Sequence, residues 1–320
     1  MIPIPYNNIL SRTNVASLIP EQVSNELLGG LANESAALTM FRQIRMASNQ
    51  QRMPVLSALP TAYFVTGDTG LKQTTEAAWA NKYLNVEEIA AIAPIPEAVF
   101  DDAGFDVWGN VMPLLQNAIA RALDAAVFFG VNKPASWPTA IATAAAAAGN
   151  TVNRGTATAA QGGLAGDLSA AFASVESDGF DVNGLIANLR YRGLLRDVRD
   201  TQGRQLLDAN GNVYGVNVQY PMRGLWPAVA TTGARNVEAV LGDFSQGILG
   251  IRQDITYKVL DQATIQDNTG AVQYNLAQQD MIALRVVFRC AFEVGNTVNY
   301  DNGNAATRYP FAVVNSIANP

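Results

Sequence analysis

Residues 83–100 read YLNVEEIAAIAPIPEAVF, and residues 106–130 read DVWGNVMPLLQNAIARALDAAVFFG, with an acidic turn at Phe100, Asp101 and Asp102 between them. The first stretch predicts one long apolar strand. The second predicts an amphipathic helix, because apolar residues recur three or four positions apart. They are Trp108, Val111, Leu115, Ile119, Ala122 and Ala126. Such a helix would be about 36 Å long, and a long strand followed directly by a long helix indicates an elongated subunit.

Gly109 and Pro113 interrupt the pattern of the predicted helix. Proline removes one backbone hydrogen bond and clashes with the preceding turn. The helix therefore either begins near Asn110 or bends in this region. We expect a bend, and an end at Gly130.

The composition excludes several classes of enzyme. The 320 residues contain no histidine, so the commonest general base and metal ligand and every Ser-His or Cys-His nucleophile are missing. The single cysteine, Cys290, lies in an apolar alternation, which predicts a buried structural thiol. Seventeen of the 21 basic residues are arginine, which favours contacts between proteins. We expect no enzyme activity and no catalytic, cofactor-binding or metal-binding residues.

Charge and hydropathy restrict the surroundings of the protein. A net charge of −6 argues against tight sequence-independent binding to nucleic acid. No apolar run reaches the roughly 18 residues that a membrane-spanning helix needs, and residues 1–25 lack the pattern of a signal peptide. We therefore expect synthesis in the cytosol and no membrane contact. The length is sufficient for two packed units.

The amino-terminal third predicts an arm and a projection. Residues 1–33 are polar and rich in small residues, with one helical turn expected at residues 21–28. Residues 54–65 predict a strand that leads to a turn-rich tip at residues 66–70, and the chain returns through residues 72–82. The tip has few apolar residues with which to form a core, and two-stranded ribbons are marginal alone. We expect the projection to dock on a neighbouring molecule.

A break at residues 132–166 precedes a second unit, and its alanine run at residues 144–148 could be a helix or a loop. Leu168, Ala171, Phe172 and Val175 predict the buried face of a helix over residues 167–177. The other elements expected in this unit are strands at residues 184–189, 213–218, 237–241 and 255–259, a basic helix at residues 191–198 and a turn at residues 210–211.

The clearest periodicity lies near the end of the chain. Seven apolar residues alternate with other residues: Ile282, Leu284, Val286, Phe288, Cys290, Phe292 and Val294. A helix would distribute these side chains around its whole circumference. The alternation therefore predicts a long strand with one buried face.

A search for chemical motifs finds no phosphate-binding loop and no GxGxxG after a strand. Residues 242–247 read GDFSQG, which has the wrong spacing for a nucleophile elbow. We interpret them as a turn after a strand. A run of carboxylates lacks the spacing of a calcium loop, so it favours a solvated or interfacial face: Glu87, Glu88, Glu97, Asp101, Asp102 and Asp106. A run of arginines is either a solvated helix face or a contact with acidic residues of another copy: Arg190, Arg192, Arg196, Arg199 and Arg204.

Six strings, in order, resemble the major capsid proteins of tailed bacteriophages, the Hong Kong ninety-seven-like fold. They are TEAAWANK at residues 75–82, EEIAA through PEAVFDD at 87–102, AIARALDAAVFFG at 118–130, LLRD with TQGR at 194–204, LGDFSQ with GIRQDI at 241–255 and DMIALR at 280–285. The similarity extends over nearly the whole chain after about Pro20.

The resemblance implies an α+β subunit with an amino-terminal arm at residues 1–50, an extended β-hairpin loop at 51–85, and a peripheral domain with a long spine helix and long strands at 86–140 and 275–320. It also implies an axial domain at residues 141–274. Copies would form the hexamers and pentamers of an icosahedral shell around double-stranded DNA, assembled in the cytoplasm of the host bacterium. The implied partners are the portal protein and separate scaffolding or decoration proteins.

The chain departs from the family pattern in two respects. Many members carry about a hundred further amino-terminal residues as a built-in scaffold; here the arm begins at Met1, so we expect a separate scaffold or none, and no maturation by a protease. Some members join a lysine of the extended loop to an asparagine of a neighbour; Lys72 lies near that position, but no partner asparagine is matched. Two alternative functions stay open: an encapsulin-like compartment that holds cargo enzymes, and a cofactor-independent carboxylate hydrolase.

Overall fold

A computed structural model describes residues 35–65, 70–72, 74–98, 107–199, 205, 211–221, 226, 235–267 and 269–317 of the chain. Its helices are α1 (Ala36–Met40), α2 (Val107–Asp124), α3 (Ile141–Ala148), α4 (Leu164–Ser177) and α5 (Leu189–Asp197), with a π-helical turn (Ala125–Phe129) directly after α2. Short 3-10 turns lie at Ala159–Gln161 and Phe244–Gln246.

The strands in the described ranges form four sheets. They are β1 (Arg42–Arg45), β2 (Gln50–Ala58), β3 (Ala78–Asn85), β4 (Glu87–Pro96), β5 (Thr151–Asn153), β6 (Gly184–Ala187), β7 (Val218–Gln219), β8 (Val237–Gly242), β9 (Gly247–Leu260), β10 (Thr264–Gln266), β11 (Val272–Asn275), β12 (Met281–Val294) and β13 (Phe311–Asn315).

The first large sheet has the order β1-β9-β12-β4 and carries α2 on one face. Strand β12 pairs antiparallel with both β9 and β4, which confirms the long strand predicted from the alternation at residues 282–294. Leu284, Val286, Phe288 and Cys290 are buried on the face that packs against α2. The opposite face is partly covered as well, since Ala291 is buried in a small cluster with Leu84.

The predicted strand at residues 83–100 is wrong as a single element. Its first part ends β3 in a two-stranded sheet with β2, and its second part is β4 in the four-stranded sheet, with Val86 between them. The backbone N–H of Val86 donates to the carbonyl of Asn49 at 2.9 Å, so the chain changes sheet at this residue. Apolar runs show where strands occur but carry no information on which partner each half chooses.

The predicted spine helix is confirmed with one correction to its buried face. Helix α2 and the π-helical turn end at Gly130, whose φ of 73° is left-handed and suits a glycine. Ala122 is exposed, whereas Leu123 is fully buried. The helix passes through Pro113 without losing its helical assignment, and the bend expected there stays a prediction.

The second large sheet has the order β5-β13-β8-β6-β7. Helices α4 and α5 cover one face, and the predicted apolar face of α4 is buried there. The other face contributes Ile186, Val240 and Val313 to the core beneath α2. Strand β13 follows the loop after β12, so the end of the chain crosses from the first sheet to the second. The two cores therefore share one sheet.

The alanine run forms α3, which resolves the open choice between helix and loop. Residues 213–218 form only an isolated bridge between Val213 and Val216, followed by the two residues of β7, so the predicted strand there is wrong. The strand predicted at residues 255–259 is the end of the longer β9. The predictions for residues 21–28, 66–69, 100–102 and 210 lie outside the described residues.

The amino-terminal segment is anchored by a buried carboxylate. Asp124, at the end of α2, accepts hydrogen bonds from the backbone N–H groups of Ala36 (2.8 Å) and Ala37 (3.0 Å) and from Ser35 Oγ (2.5 Å). Burial raises the pKa of Asp124, and the three hydrogen bonds oppose that rise. Phe41 then packs among Phe128, Phe244 and Phe292 at ring distances of 5.6 to 5.8 Å. Within the described ranges, no helix is long and apolar enough to cross a membrane.

The buried thiol gives a first testable prediction. Burial raises the pKa of Cys290 to about 12, so at pH 8 the reactive thiolate is scarce, and the side chain has no solvent access. We expect the native subunit to react with a thiol reagent about a thousandfold more slowly than the unfolded chain. The variant Ser57→Cys adds an exposed thiol on β2 as the control. Rapid labelling of Cys290 itself in the folded wild type would contradict the prediction.

Candidate assembly surfaces

Strands β2 and β3 form a ribbon with two different faces. The register pairs Arg52 with Tyr83 and Leu56 with Trp79 on one face, and it pairs residues 51 and 53 with residues 84 and 82 on the other. The second face turns toward the body, because Leu84 is fully buried with Met46, Ile248 and Ala291 and contacts Met53. The first face therefore points away from the subunit.

The base of the ribbon is fixed to β12 by polar contacts. Lys82 Nζ donates to Glu293 Oε1 at 3.1 Å and to the carbonyl of Val294 at 2.6 Å. Trp137 Nε1 donates to the carbonyl of Asn85 at 3.1 Å. These contacts fix the point at which the ribbon leaves the four-stranded sheet.

The outward face and the distal loop of the ribbon expose large apolar side chains. Phe64 is 104% exposed, Leu71 is 90% exposed and Trp79 is 67% exposed. The apolar ribbon surface comprises Tyr63, Phe64, Val65, Leu71, Trp79 and Tyr83. Soluble monomers expose single apolar residues routinely, but several large apolar side chains on one projection are typical of an interaction site.

The face of the four-stranded sheet opposite α2 carries a strip of cations. Arg285 of β12 lies in register with Lys258 of β9 and with Ile92 of β4, and all three are exposed. Arg289, four residues further along β12, pairs with Glu88 at 2.8 Å. Within the described ranges Arg285 and Lys258 have no carboxylate partner. Like charges directly opposite each other destabilise a sheet, so this strip favours a carboxylate from elsewhere.

The arginine run lies on α5, where Arg190, Arg192 and Arg196 are exposed. The guanidinium of Arg192 lies 5.4 Å from the centre of the Tyr220 ring, so one of the cations is engaged within the subunit. Arg199 follows the helix and is exposed, and Arg204 lies outside the described residues. The geometry leaves both interpretations of the run open.

The predicted acidic run does not converge on one point. Glu88 pairs with Arg289, and Glu87 accepts a hydrogen bond from Ser136 Oγ at 2.5 Å. Glu97 instead lines a hollow of about 690 Å³ at the end of the sheet, together with Asp261, Asp280 and apolar residues of β9 and β12. Asp101, Asp102 and Asp106 lie outside the described residues. The part of the chain that the structure describes contains no His, Cys, Asp or Glu group able to hold a metal.

The structure also shows the surroundings of Ser245 and Lys72, which the sequence motifs had singled out. Ser245 donates to Asp243 Oδ1 at 2.6 Å in the 3-10 turn after β8, which agrees with the interpretation of residues 242–247 as a turn. Lys72 is exposed in the distal loop of the ribbon. A covalent cross-link from Lys72 stays a prediction that denaturing gel electrophoresis of assembled particles can test.

Sequence reasoning missed two buried carboxylates that organise the subunit, Asp124 and Asp178. Both occur at the end of a helix, where an acidic residue is unfavourable to the helix dipole and therefore unusual. That position was the only signal available. Their partners lie 87 or more residues away for Asp124 and up to 131 residues away for Asp178, so no local pattern reports them.

Comparisons with known proteins agree over most of the chain. The model of the phage capsid family matches residues 16–297. Solved chains from Microbacterium phage Oxtober96 and Mycobacterium phage Adephagia are 38% and 34% identical, each with a TM-score of 0.82. The alignments cover 97% and 98% of this chain and 100% of each of those chains. The major capsid protein of Staphylococcus phage 80alpha is 23% identical over 296 residues, which cover 91% of this chain and 86% of that protein.

The contact between Lys82 and Glu293 gives a second testable prediction. Both side chains are largely buried, so Lys82→Met leaves the Glu293 carboxylate without its cation, and we expect a loss of about 1–3 kcal/mol of unfolding free energy. Urea denaturation of the unassembled subunit measures it. The control is Arg45→Met, which removes a solvent-exposed pair with Asp254 and should change little. Equal effects of the two substitutions would contradict the anchoring role of Lys82.

Proposed function

This chain belongs to the phage capsid family, and from that premise we propose that it is the major capsid subunit of a tailed bacteriophage, which assembles with copies of itself into the capsid of the virion. The predicted capsid fold of mixed helices and sheets is confirmed by the solved phage chains. The observation in the subunit that best supports the function is the apolar ribbon surface, which lies outside both cores and needs a partner molecule to be buried.

The ribbon docks on a second copy of the chain. Burial of apolar area is the main favourable term in association, and Phe64, Leu71 and Trp79 offer large apolar areas, with Trp79 held in the paired strand β3. The cationic strip at Arg285 and Lys258 belongs to the same contact system, because its unpaired charges match carboxylates of a neighbour. Apolar contact supplies the affinity, and the charges select the register.

We propose that the subunit is divided as the family resemblance implies. Residues 1–50 form the arm, 51–85 the extended loop, 86–140 with 275–320 the peripheral domain, and 141–274 the axial domain. Two observations refine this proposal: residues 35–45 already pack on the body through α1 and β1, and β13 completes the five-stranded sheet.

The finer features of the shell are part of the same proposal. Copies form hexamers and pentamers of an icosahedral shell that encloses double-stranded DNA, and assembly takes place in the cytoplasm of the host with a portal protein and with separate scaffolding or decoration proteins. The net charge of −6 supports a container, because a wall that bound DNA tightly would obstruct packing. The family is structural, and we propose that this chain has no catalytic activity.

The two alternative functions receive less support. An encapsulin-like compartment would share the fold but hold cargo enzymes, whereas the similar proteins of Oxtober96, Adephagia and 80alpha come from phages. A carboxylate hydrolase would need opposed carboxylates in a substrate pocket. The hollow at Glu97, Asp261 and Asp280 lies at the end of a sheet, and the comparisons do not favour this function.

Electron microscopy of the purified protein tests the proposed function directly. Shells or rings of five and six copies are the expected result, with extraction of the contents distinguishing DNA from cargo protein. Dispersed monomers at high concentration, with or without co-expressed scaffold and portal genes, would overturn the proposal.

Removal of the large apolar side chains from the ribbon gives a third prediction. The variants Phe64→Ser and Trp79→Ser should fold normally, because neither side chain contributes to a core. We expect at least a tenfold decrease in the yield of shells, since each substitution removes about 2 kcal/mol of apolar burial per contact. The control Ile317→Ser changes an exposed apolar side chain outside the ribbon. Unchanged shell yields for both ribbon variants would show that this surface is not an assembly contact.

Charge reversal on the sheet gives a fourth prediction and distinguishes the two cationic surfaces. Arg285→Glu should abolish or slow shell formation, and higher salt should slow assembly of the wild type, because ionic contacts are screened. Arg196→Glu makes the same change on α5. If only the second variant fails to assemble, the arginine run is the contact and the strip is a solvated surface.

A further inference from the structure

The loop between β12 and β13, residues 295–310, supports the ribbon beyond its base. The backbone N–H of Val298 donates to the carbonyl of Leu56 at 3.4 Å, at the far end of β2. Tyr300 Oη donates to the carbonyl of Pro60 at 2.9 Å, where the chain has left the strand. Both contacts lie distal to the anchor at Lys82, which joins the opposite end of the ribbon to β12. A ribbon held only at its base would pivot there, so the loop determines its direction.

A buried carboxylate holds this loop at its middle and near its carboxyl-terminal end. Asp178 follows the last residue of α4 and is 5% exposed. Its Oδ1 accepts a hydrogen bond from Asn302 Nδ2 at 2.7 Å, and its Oδ2 accepts one from the backbone N–H of Tyr309 at 3.0 Å. Asn150 Nδ2 also donates to Oδ2, at 2.8 Å. The three groups that bond to the Asp178 carboxylate are thus all hydrogen-bond donors. A neutral side chain at this position would leave them wholly or partly unpaired.

The backbone next to Asp178 adds a second point of attachment. Asn299 Nδ2 donates to the carbonyl of Asp178 at 2.7 Å, and Asn299 Oδ1 accepts the backbone N–H of Asn302 at 2.9 Å. Gly179 has a φ of 78°, and a Cβ there would lie 2.7 Å from the amide carbon of Asn299. Only glycine permits this close approach of the loop to the end of α4.

Hydrogen bonds of Arg308 also brace the loop internally. Arg308 is 4% exposed, and its guanidinium donates to the carbonyl of Asn302 at 2.8 Å and to the side-chain and backbone oxygens of Asn296 at 3.2 Å. These bonds close the loop across its width. We therefore expect a displacement at Asn302 to be transmitted to Tyr300 and the ribbon.

We propose that Asp178 is a positioning residue for assembly: it ties loop 295–310 to the end of α4 and thereby sets the angle at which the ribbon leaves the subunit. The mechanical link runs from the five-stranded sheet through α4, the loop and Tyr300 to the apolar ribbon surface. The claim that this angle affects the geometry of a shell rests on the proposed function. The mechanical link itself is a property of the single subunit.

Hydrogen exchange on the unassembled wild-type chain and three variants tests the link. Asn302→Ala removes one contact to Asp178. We expect amides of residues 55–59 and 76–80 to exchange about tenfold faster, the factor that corresponds to about 1.4 kcal/mol. Amides near Asn85 should be unchanged, because the base keeps its own anchors. The matched control Asn304→Ala lies in the same loop, but its side chain accepts a hydrogen bond from the backbone N–H of Ala306 and donates none to Asp178 or the ribbon within the described residues, so ribbon exchange should equal that of the wild type.

Tyr300→Phe keeps the test decisive if Asn302→Ala fails to fold. It removes only the hydroxyl that contacts Pro60 and leaves the Asp178 contacts intact. The distal ribbon should again exchange faster, while the Tyr309 amide stays protected. Wild-type ribbon exchange in Tyr300→Phe, or in a folded Asn302→Ala whose Tyr309 amide has become exposed, would overturn the inference. Absence of shells from the wild type would refute the proposed function and leave the exchange result standing.

Discussion

The pairing of β12 with two long neighbours is the interaction on which the rest of the subunit depends. Fourteen residues of β12 hydrogen-bond to β9 on one side and β4 on the other. Its inward side chains form the surface on which α2 lies, and Glu293 at its end binds Lys82 of the ribbon. The loop that follows β12 contacts the ribbon at a second position and then leads into β13 of the five-stranded sheet. A change of register in β12 would move all of these attachments together, because one step exchanges the two faces of a strand.

The subunit separates the burial that stabilises it from the burial that it leaves to a partner. Two cores joined through the five-stranded sheet contain the large aromatic and aliphatic side chains. The ribbon has no core of its own, and a two-stranded ribbon is marginally stable alone. Its anchors at Lys82 and Asn85 hold it in an extended form that exposes Trp79 and Phe64. Because the ribbon is already extended before it binds, less entropy is lost on association. The contact with a neighbour therefore retains more of its favourable free energy.

The sequence predicted the elements whose pattern is local and missed the contacts whose partners are distant. The alternation around Cys290 and the helix that ends at Gly130 are periodic over more than ten residues, and both are present. The apolar run around Val86 is equally long, yet its halves join different sheets, because the choice of partner depends on residues elsewhere in the chain. The candidate surfaces were foreseen only in outline: a projection without a core was recognisable, but its two unequal faces require the register of β2 against β3. Asp178 was missed, because its partners Asn302 and Tyr309 are distant in the chain.

The use of polar side chains around Asp178 has a physical reason. Apolar contacts supply free energy but tolerate small rotations, since dispersion and hydrophobic burial depend weakly on direction. Hydrogen bonds weaken steeply when the donor is misaligned, so a set that ties Asn299, Asn302 and Tyr309 to one carboxylate specifies an orientation. A ribbon some 30 Å long, from nine residues at about 3.3 Å each, converts a few degrees at its support into more than an ångström at its tip. Copies that close a shell need a constant angle between the ribbon and the subunit body. A buried polar cluster fixes this angle better than a further apolar contact would.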